Sequence, residues 1–298
     1  MTILSESLTE SAHIFTIKSI EYVSCVVKNY AIYSQYRYLK RRKSVYGLSI
    51  DLFLGMFLSE LFSLYLYGFN FICSNTVAIQ YSRRYPLYYT KEMIPVSRFI
   101  ILNNIVSLFL LILIGLRFKE FHKTKNVYQG VSKMFITYAF GIMCIVFSSF
   151  CICGNVLGGI LNINYIDHLN ILWAFNNYFL ESYFLLPQFS LNYMCQYTKG
   201  LSSKFEILFG ISCAFQVFKG LIIWNSSSMK VFWFKIPFNL KTLYSSLWNL
   251  FFIGLILLQS HYLYLDKKPT VAFKLNANKI IRSEEEEDKE ELVVVKTV

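Results

Sequence analysis

Leu186-Pro187-Gln188 is followed, twelve positions after its glutamine, by Gly200-Leu201-Ser202. The same spacing occurs in the first half of the chain, where Tyr33-Ser34-Gln35 precedes Gly47-Leu48-Ser49. Both stretches close an apolar segment, pass through a polar turn holding Lys43 or Lys199, and lead into a new apolar run. A duplicated helix, turn, helix unit is the simplest reading. In an apolar chain it predicts parallel repeats related by an axis along the membrane normal, one of the ways membrane carriers are built.

Hydrophobic residues make up 55% of the 298 and charged residues only 16%, a balance that one soluble core cannot hide. An integral membrane protein is expected. The net charge of +11 is spread over short clusters between apolar runs, which argues for positive-inside loops and against nucleic acid as a partner. The cysteines, among them Cys25, Cys144, Cys151, Cys153 and Cys213, form no CxxC pair and have no histidine at ligand spacing. They read as small buried hydrophobes. No basic n-region with a cleavage site precedes the first apolar stretch, so the first helix is expected to insert uncleaved.

A hydrocarbon core of ~30 Å needs about 20 helical residues. Seven segments meet that length, near 13–36, 48–73, 97–117, 131–153, 168–194, 204–224 and 240–265. Lys18, Glu21 and Lys28 weaken the first, which is kept because the repeat requires it. The expected organisation is a lumenal segment 1–12, a first three-helix repeat 13–117 with its turn at 34–49, a linker helix within 118–160, a second repeat 161–265 with its turn at 187–202, and a charged tail 266–298. Arg37, Lys40, Arg41, Arg42 and Lys43, then Arg117, Lys119, Lys123 and Lys125, then Lys199, Lys267 and Lys268 fall on one side. Arg83, Arg84, Lys91, Lys230 and Lys235 fall on the other. This asymmetry predicts a lumenal amino terminus and a cytosolic tail. The glycosylation triplet Asn225-Ser226-Ser227 falls on the lumenal side. Ser283 to Glu291 cannot bury apolar area and reads as a solvated tail; the alternative is an acidic signal, Asp288 through Leu292-Val293, for sorting adaptors.

The run from Lys40 to Asp51 (Lys40-Arg41-Arg42-Lys43-Ser44-Val45-Tyr46-Gly47-Leu48-Ser49-Ile50-Asp51) resembles the first PQ-loop of the cystinosin family. Leu186-Pro187-Gln188 with Asn192, Lys199, Gly200, Leu201 and Ser202 resembles its second. The likeness extends from Tyr30 to Pro269 and takes in Tyr85-Pro86. It implies an all-α membrane protein of seven transmembrane helices, arranged as two parallel three-helix bundles joined by a linker helix. It further implies a lysosomal or vacuolar carrier that alternates access around a central cavity and couples export of cystine or a related amino acid to protons. The chain departs from the family pattern at Ser34, where proline is usual, and at Met56, Ser97, Asn177, Phe209 and Asn249. A receptor or trafficking protein on the same scaffold, or an uncoupled facilitator, remain the alternatives.

Charge at mid-bilayer costs roughly 3 kcal/mol on insertion scales, so an intramembrane carboxylate is a functional candidate. Glu60 lies nine residues, about 13 Å, beyond Asp51 along a helix, and Glu181 lies six before Pro187. Either is a candidate proton acceptor, or a static partner of Lys28 or Lys219. Asp51 reads as a helix cap or a gate, and Glu206 as a cap. Gln35, Gln188, Asn103, Asn104, Asn176, Asn177, Asn192 and Asn249 are candidate lining for a zwitterionic substrate, with interhelical hydrogen bonding as the plain alternative. Pro187 is the candidate hinge, and Lys219 is expected to snorkel. His13, His122, His168 and His261 sit apart, so no catalytic group, metal or cofactor is expected.

Overall fold

The computed structural model describes residues 2–72, 98–125, 129–154, 160–226 and 242–265. The stretch around Tyr85-Pro86, Ser97, the completed glycosylation triplet and the tail 266–298 lie outside them. Among the described residues the chain is an all-α membrane protein, with five helices long and apolar enough to cross a bilayer: Ile50–Gly68, Arg98–Glu120, Lys133–Ile152, Ser203–Ile222 and Leu243–Leu263.

In chain order, α1 is Thr2–Arg42. Helix α2, Ile50–Leu64, continues as a π-helical segment Tyr65–Ile72. Then come α3, Arg98–Glu120, and α4, Lys133–Ile152. Next, α5, Tyr165–Ala174, runs through a π-helical segment Phe175–Leu180 and a turn Glu181–Tyr183 into α6, Leu186–Cys195. Last are α7, Ser203–Ser226, and α8, Leu243–Leu258, which ends in a π-helical segment Gln259–Leu263. Helix α1 starts well before residue 13 and, at 1.5 Å per residue, is about 60 Å long, twice the bilayer core. Over the expected segment 168–194 the backbone stays right-handed helical through Phe184 and Leu185, and Pro187, which brings no N–H, interrupts only the hydrogen-bond ladder there.

Local chemistry explains the ends. Ser49, Ser132 and Thr242 cap α2, α4 and α8 by accepting from the N–H groups of Leu52, Phe135 and Ser245. Ser202 does the same for α7 through Phe205 N–H at 3.1 Å. Lys43 and Gln196 terminate α1 and α6 in the left-handed conformation, with φ of 51° and 49°. Each stands eight residues after its glutamine, so the equal spacing takes in the helix stop as well.

Helix α3 packs against both α1 and α2, which barely meet each other. In the second half α8 packs in the same way against α7 and the α5–α6 path. Between the halves, α1 lies along α7 and α2 along the α5–α6 path. Helix α4 touches chiefly α5 and keeps a largely apolar outer face. The main core lies toward the two turns, where Leu48, Leu52 and Phe53 meet Leu201, Phe205 and Phe209. The Phe53 and Phe205 rings, from opposite halves, sit 6.2 Å apart.

Candidate functional site

The two glutamines of the repeat meet the opposite turns. Gln35 Nε2 donates to Gly200 O at 3.2 Å, and Gln35 Oε1 accepts from Ser202 N–H at 2.8 Å. Gln188 Nε2 donates to Gly47 O at 3.0 Å, and Gln188 Oε1 accepts from Ser49 N–H at 2.8 Å. Each amide therefore spans a carbonyl and the N–H two residues on, a two-point clamp, and each half holds the turn of the other. Both glutamines are fully buried, so four backbone and four amide groups are satisfied reciprocally where no water reaches.

The glycines make this contact possible. A Cβ on Gly200 would lie 2.0 Å from Gly47 O and 2.6 Å from Leu48 N, while Gly47 has a φ of +78° and faces Tyr197. The two turns touch backbone to backbone. Arg42 and Tyr38 add bonds from the end of α1 to Lys199 O, and Arg42 also donates to Tyr197 OH at 2.7 Å.

Away from the turns a cavity of about 90 Å³ opens between the halves, lined from α1, α2 and its π-helical extension, α3, the π-helical segment Phe175–Leu180 with Glu181 after it, α7 and α8. Glu60, Glu181, Asn104, Asn177 and Asn249 face it. Lys28 Nζ and Glu60 Oε1 form an ion pair at 2.5 Å. Ser59 Oγ donates to Glu181 Oε1 at 3.2 Å across the halves. Asn177 is held in the π-helical turn by Trp173 O, and its neighbour Asn176 donates to Ser63 Oγ. The buried carbonyl oxygens of Gln216 and Asn249 accept no hydrogen bond among the described residues.

Several expected roles change. Gln35 and Gln188 do not line the cavity, because the opposite turns take both ends of each amide. Asn103 and Asn192 do not line it either: Asn103 Oδ1 accepts from Asn29 Nδ2 at 2.9 Å, and Asn192 Oδ1 accepts from Gln188 Nε2 at 2.7 Å. Asp51 does not cap α2, a place Ser49 holds; it accepts from the backbone N–H of Ser132 at 3.2 Å and so ties the start of α4 to α2. Glu206 does not cap α7, since Ser202 does, and accepts instead from Ser260 Oγ at 2.6 Å. Lys219 does not snorkel: it is 1% exposed and paired with Glu21 of α1. Pro187 sits in the first turn of α6, just after Phe184 and Leu185 where the hydrogen-bond ladder is interrupted, whereas Ser34 sits in the uninterrupted α1 and returns its hydroxyl to Ala31 O at 2.7 Å.

Sequence reasoning missed four contributors. Gln129 binds the first turn, its Oε1 accepting from Gly47 N–H at 3.1 Å and its Nε2 donating to Val45 O and Leu48 O. Ser24 and Ser212 exchange hydroxyl and carbonyl bonds where α1 and α7 cross, and Gln216 Nε2 joins them at 2.8 Å. Small hydroxyl residues in an apolar helix suit close helix contact, but nothing in their spacing names the partner helix.

No family model matches the chain. It is 32% identical over 248 residues to the uncharacterized protein YCL002C of Saccharomyces cerevisiae, an alignment covering 80% of this chain and 91% of that protein. The chain belongs to the YCL002C family.

Proposed function

We propose that the protein is a secondary carrier of the cystinosin type, built from two parallel three-helix bundles, α1–α3 and α5–α8, with α4 as linker and seven membrane crossings in all. It exports cystine or a related small amino acid from the lumen of a vacuole or lysosome by alternating access. The observation that carries this reading is the cavity between the halves, which holds charges of both signs beside spare amide acceptors. A zwitterion needs that set: an ammonium to meet its carboxylate, and carboxylate and amide oxygens to meet its ammonium. In this reading the clamped turns are the closed cytosolic gate. Support for that orientation comes from exposed Arg37, Lys40, Arg41, Lys43, Lys119, Lys123, Lys125 and Lys199, all at the turn end.

Proton coupling runs through Glu60. With Glu60 ionised, Lys28 is engaged; a proton on Glu60 frees the Lys28 ammonium for a substrate carboxylate. Substituting Glu60→Gln tests this in vesicles that expose the lumenal face. Uptake by the native protein should rise as the outer medium is acidified, and the variant, still inserted, should lose that dependence. An unchanged pH profile would remove Glu60 from the role.

A further inference from the structure

The buried asparagines of this protein are, with two exceptions among the described residues, bonded through their side chains. Asn29 and Asn103 join α1 to α3, Asn103 Oδ1 accepting from Asn29 Nδ2 at 2.9 Å. Asn176 donates to Ser63 Oγ, Asn177 donates to Trp173 O, and Asn192 accepts from Gln188. Asn104 and Asn249 differ. They are 5% and 2% exposed, and neither side chain is hydrogen-bonded to a described residue. Both line the cavity between the halves. They also occupy matching places, each the seventh residue of its helix, α3 from Arg98 and α8 from Leu243, and each of these helices packs against the other two elements of its own half. A buried amide without a partner destabilises the fold. That burden, carried twice at matched positions of one cavity, points to a partner that comes and goes.

We infer that Asn104 and Asn249 are a binding pair, one from each half, whose partner is the substrate; the inference rests on the carrier reading for the identity of that substrate as a zwitterion. The surroundings give the orientation. Asn104 follows Asn103, which is bonded to Asn29 beside Lys28, so Asn104 stands on the wall that carries the Lys28 ammonium. Asn249 stands on the wall that carries Glu181, because α8 packs against the turn Glu181–Tyr183. Asn104 Nδ2 therefore donates to the substrate carboxylate, and Asn249 Oδ1 accepts from its ammonium. A bound substrate bridges the halves, carboxylate toward the first and ammonium toward the second.

Leucine, close to asparagine in size and shape, separates a binding role from a structural one. With no protein partner to strand, Asn104→Leu and Asn249→Leu should leave the thermal midpoint of the full chain unchanged or higher, whereas Asn103→Leu, which takes partners from Asn29 and Phe99 O, should lower it. Uptake of labelled lysine and cystine into vesicles that expose the lumenal face should weaken in both binding variants. The apparent KM should rise about tenfold in each, the worth of one hydrogen bond to a charged group. Unlabelled competitors then separate the two ends of the substrate. The disadvantage of Nα-acetyl-lysine relative to free lysine should shrink about tenfold in Asn249→Leu alone, and that of lysine methyl ester in Asn104→Leu alone. A midpoint lowered as far as by Asn103→Leu, an unchanged KM in either variant, or a disadvantage that shrinks at the wrong end would overturn the pair alone. A parent protein that takes up neither amino acid would overturn the carrier reading and the ligand assigned here together.

Discussion

Replacing Gly200 with alanine puts the reciprocal contact of the two turns to a severe test. The added Cβ would lie 2.0 Å from Gly47 O, 2.2 Å from Gly47 C and 2.6 Å from Leu48 N. All three obstacles are backbone, so no side chain can swing away, and the turns must part by about 1 Å to reach even the shortest separation that such atoms tolerate. That displacement acts on the four glutamine bonds, which now span 2.8 to 3.2 Å and would pass out of bonding range. At about 1 kcal/mol net per bond the loss is about 4 kcal/mol if both clamps open and about 2 if only one does. Gly47→Ala is milder: its left-handed backbone costs about 1–2 kcal/mol with a side chain, and the Tyr197 ring that a Cβ would meet at 2.9 Å can shift. Gly254 has open space around it, so alanine there should be neutral or stabilising in a helix. Thermal midpoints of the detergent-solubilised full chain, followed by the surviving monodisperse fraction, should fall in the order Gly254→Ala, Gly47→Ala, Gly200→Ala. A Gly200→Ala protein that melts with the parent would refute the backbone contact and with it the clamp.

The other expectations use the same assay. Gln35→Ala and Gln188→Ala should each cost about 1–3 kcal/mol, because each strands a buried carbonyl and N–H; the double variant should cost less than the sum, since opening either clamp loosens the shared glycine contact. An additive pair would contradict the coupling. Glu60→Gln leaves the Lys28 ammonium without its carboxylate and should destabilise by up to about 3 kcal/mol, the lower end for a buried pair because the Lys28 side chain is 20% exposed. Adding Lys28→Met should recover most of that loss, and no recovery would deny that the two residues act as a pair. Lys219→Met should lower the midpoint by removing the buried ion pair with Glu21, whereas a snorkelling lysine would tolerate the change.

Equal spacing from glutamine to glycine located both turns, both helix starts and the positions of Lys43 and Lys199. Hydropathy found the five strongly apolar helices, and the repeat supplied the weakly apolar α1. Partners were not legible. Spacing along one chain states that Gln35 and Gln188 are equivalent, but equivalence is satisfied equally by two amides facing a cavity and by two amides crossing to opposite turns; only the touching of Gly47 and Gly200 decides for the second. The same holds for Glu60 with Lys28 and for Lys219 with Glu21, where contact is made across separate helices. Asp51 and Glu206 misled for a different reason. Carboxylates in a first helical turn favour capping on average, but here Ser49 and Ser202 already fill the capping positions, leaving both acids to bind other elements. Gln129 could not be found at all, because a single glutamine in a polar connection carries no periodic signal.

Transport itself decides the central claim. The full chain, redirected to the cell surface so that its lumenal face meets the medium, should be supplied in parallel with labelled cystine, lysine and glucose at acidic and at neutral pH. The account predicts saturable entry of cystine or lysine, faster at acidic pH, with glucose excluded. Surface-exposed protein that accumulates none of the three above background, or that admits glucose alone, would contradict it.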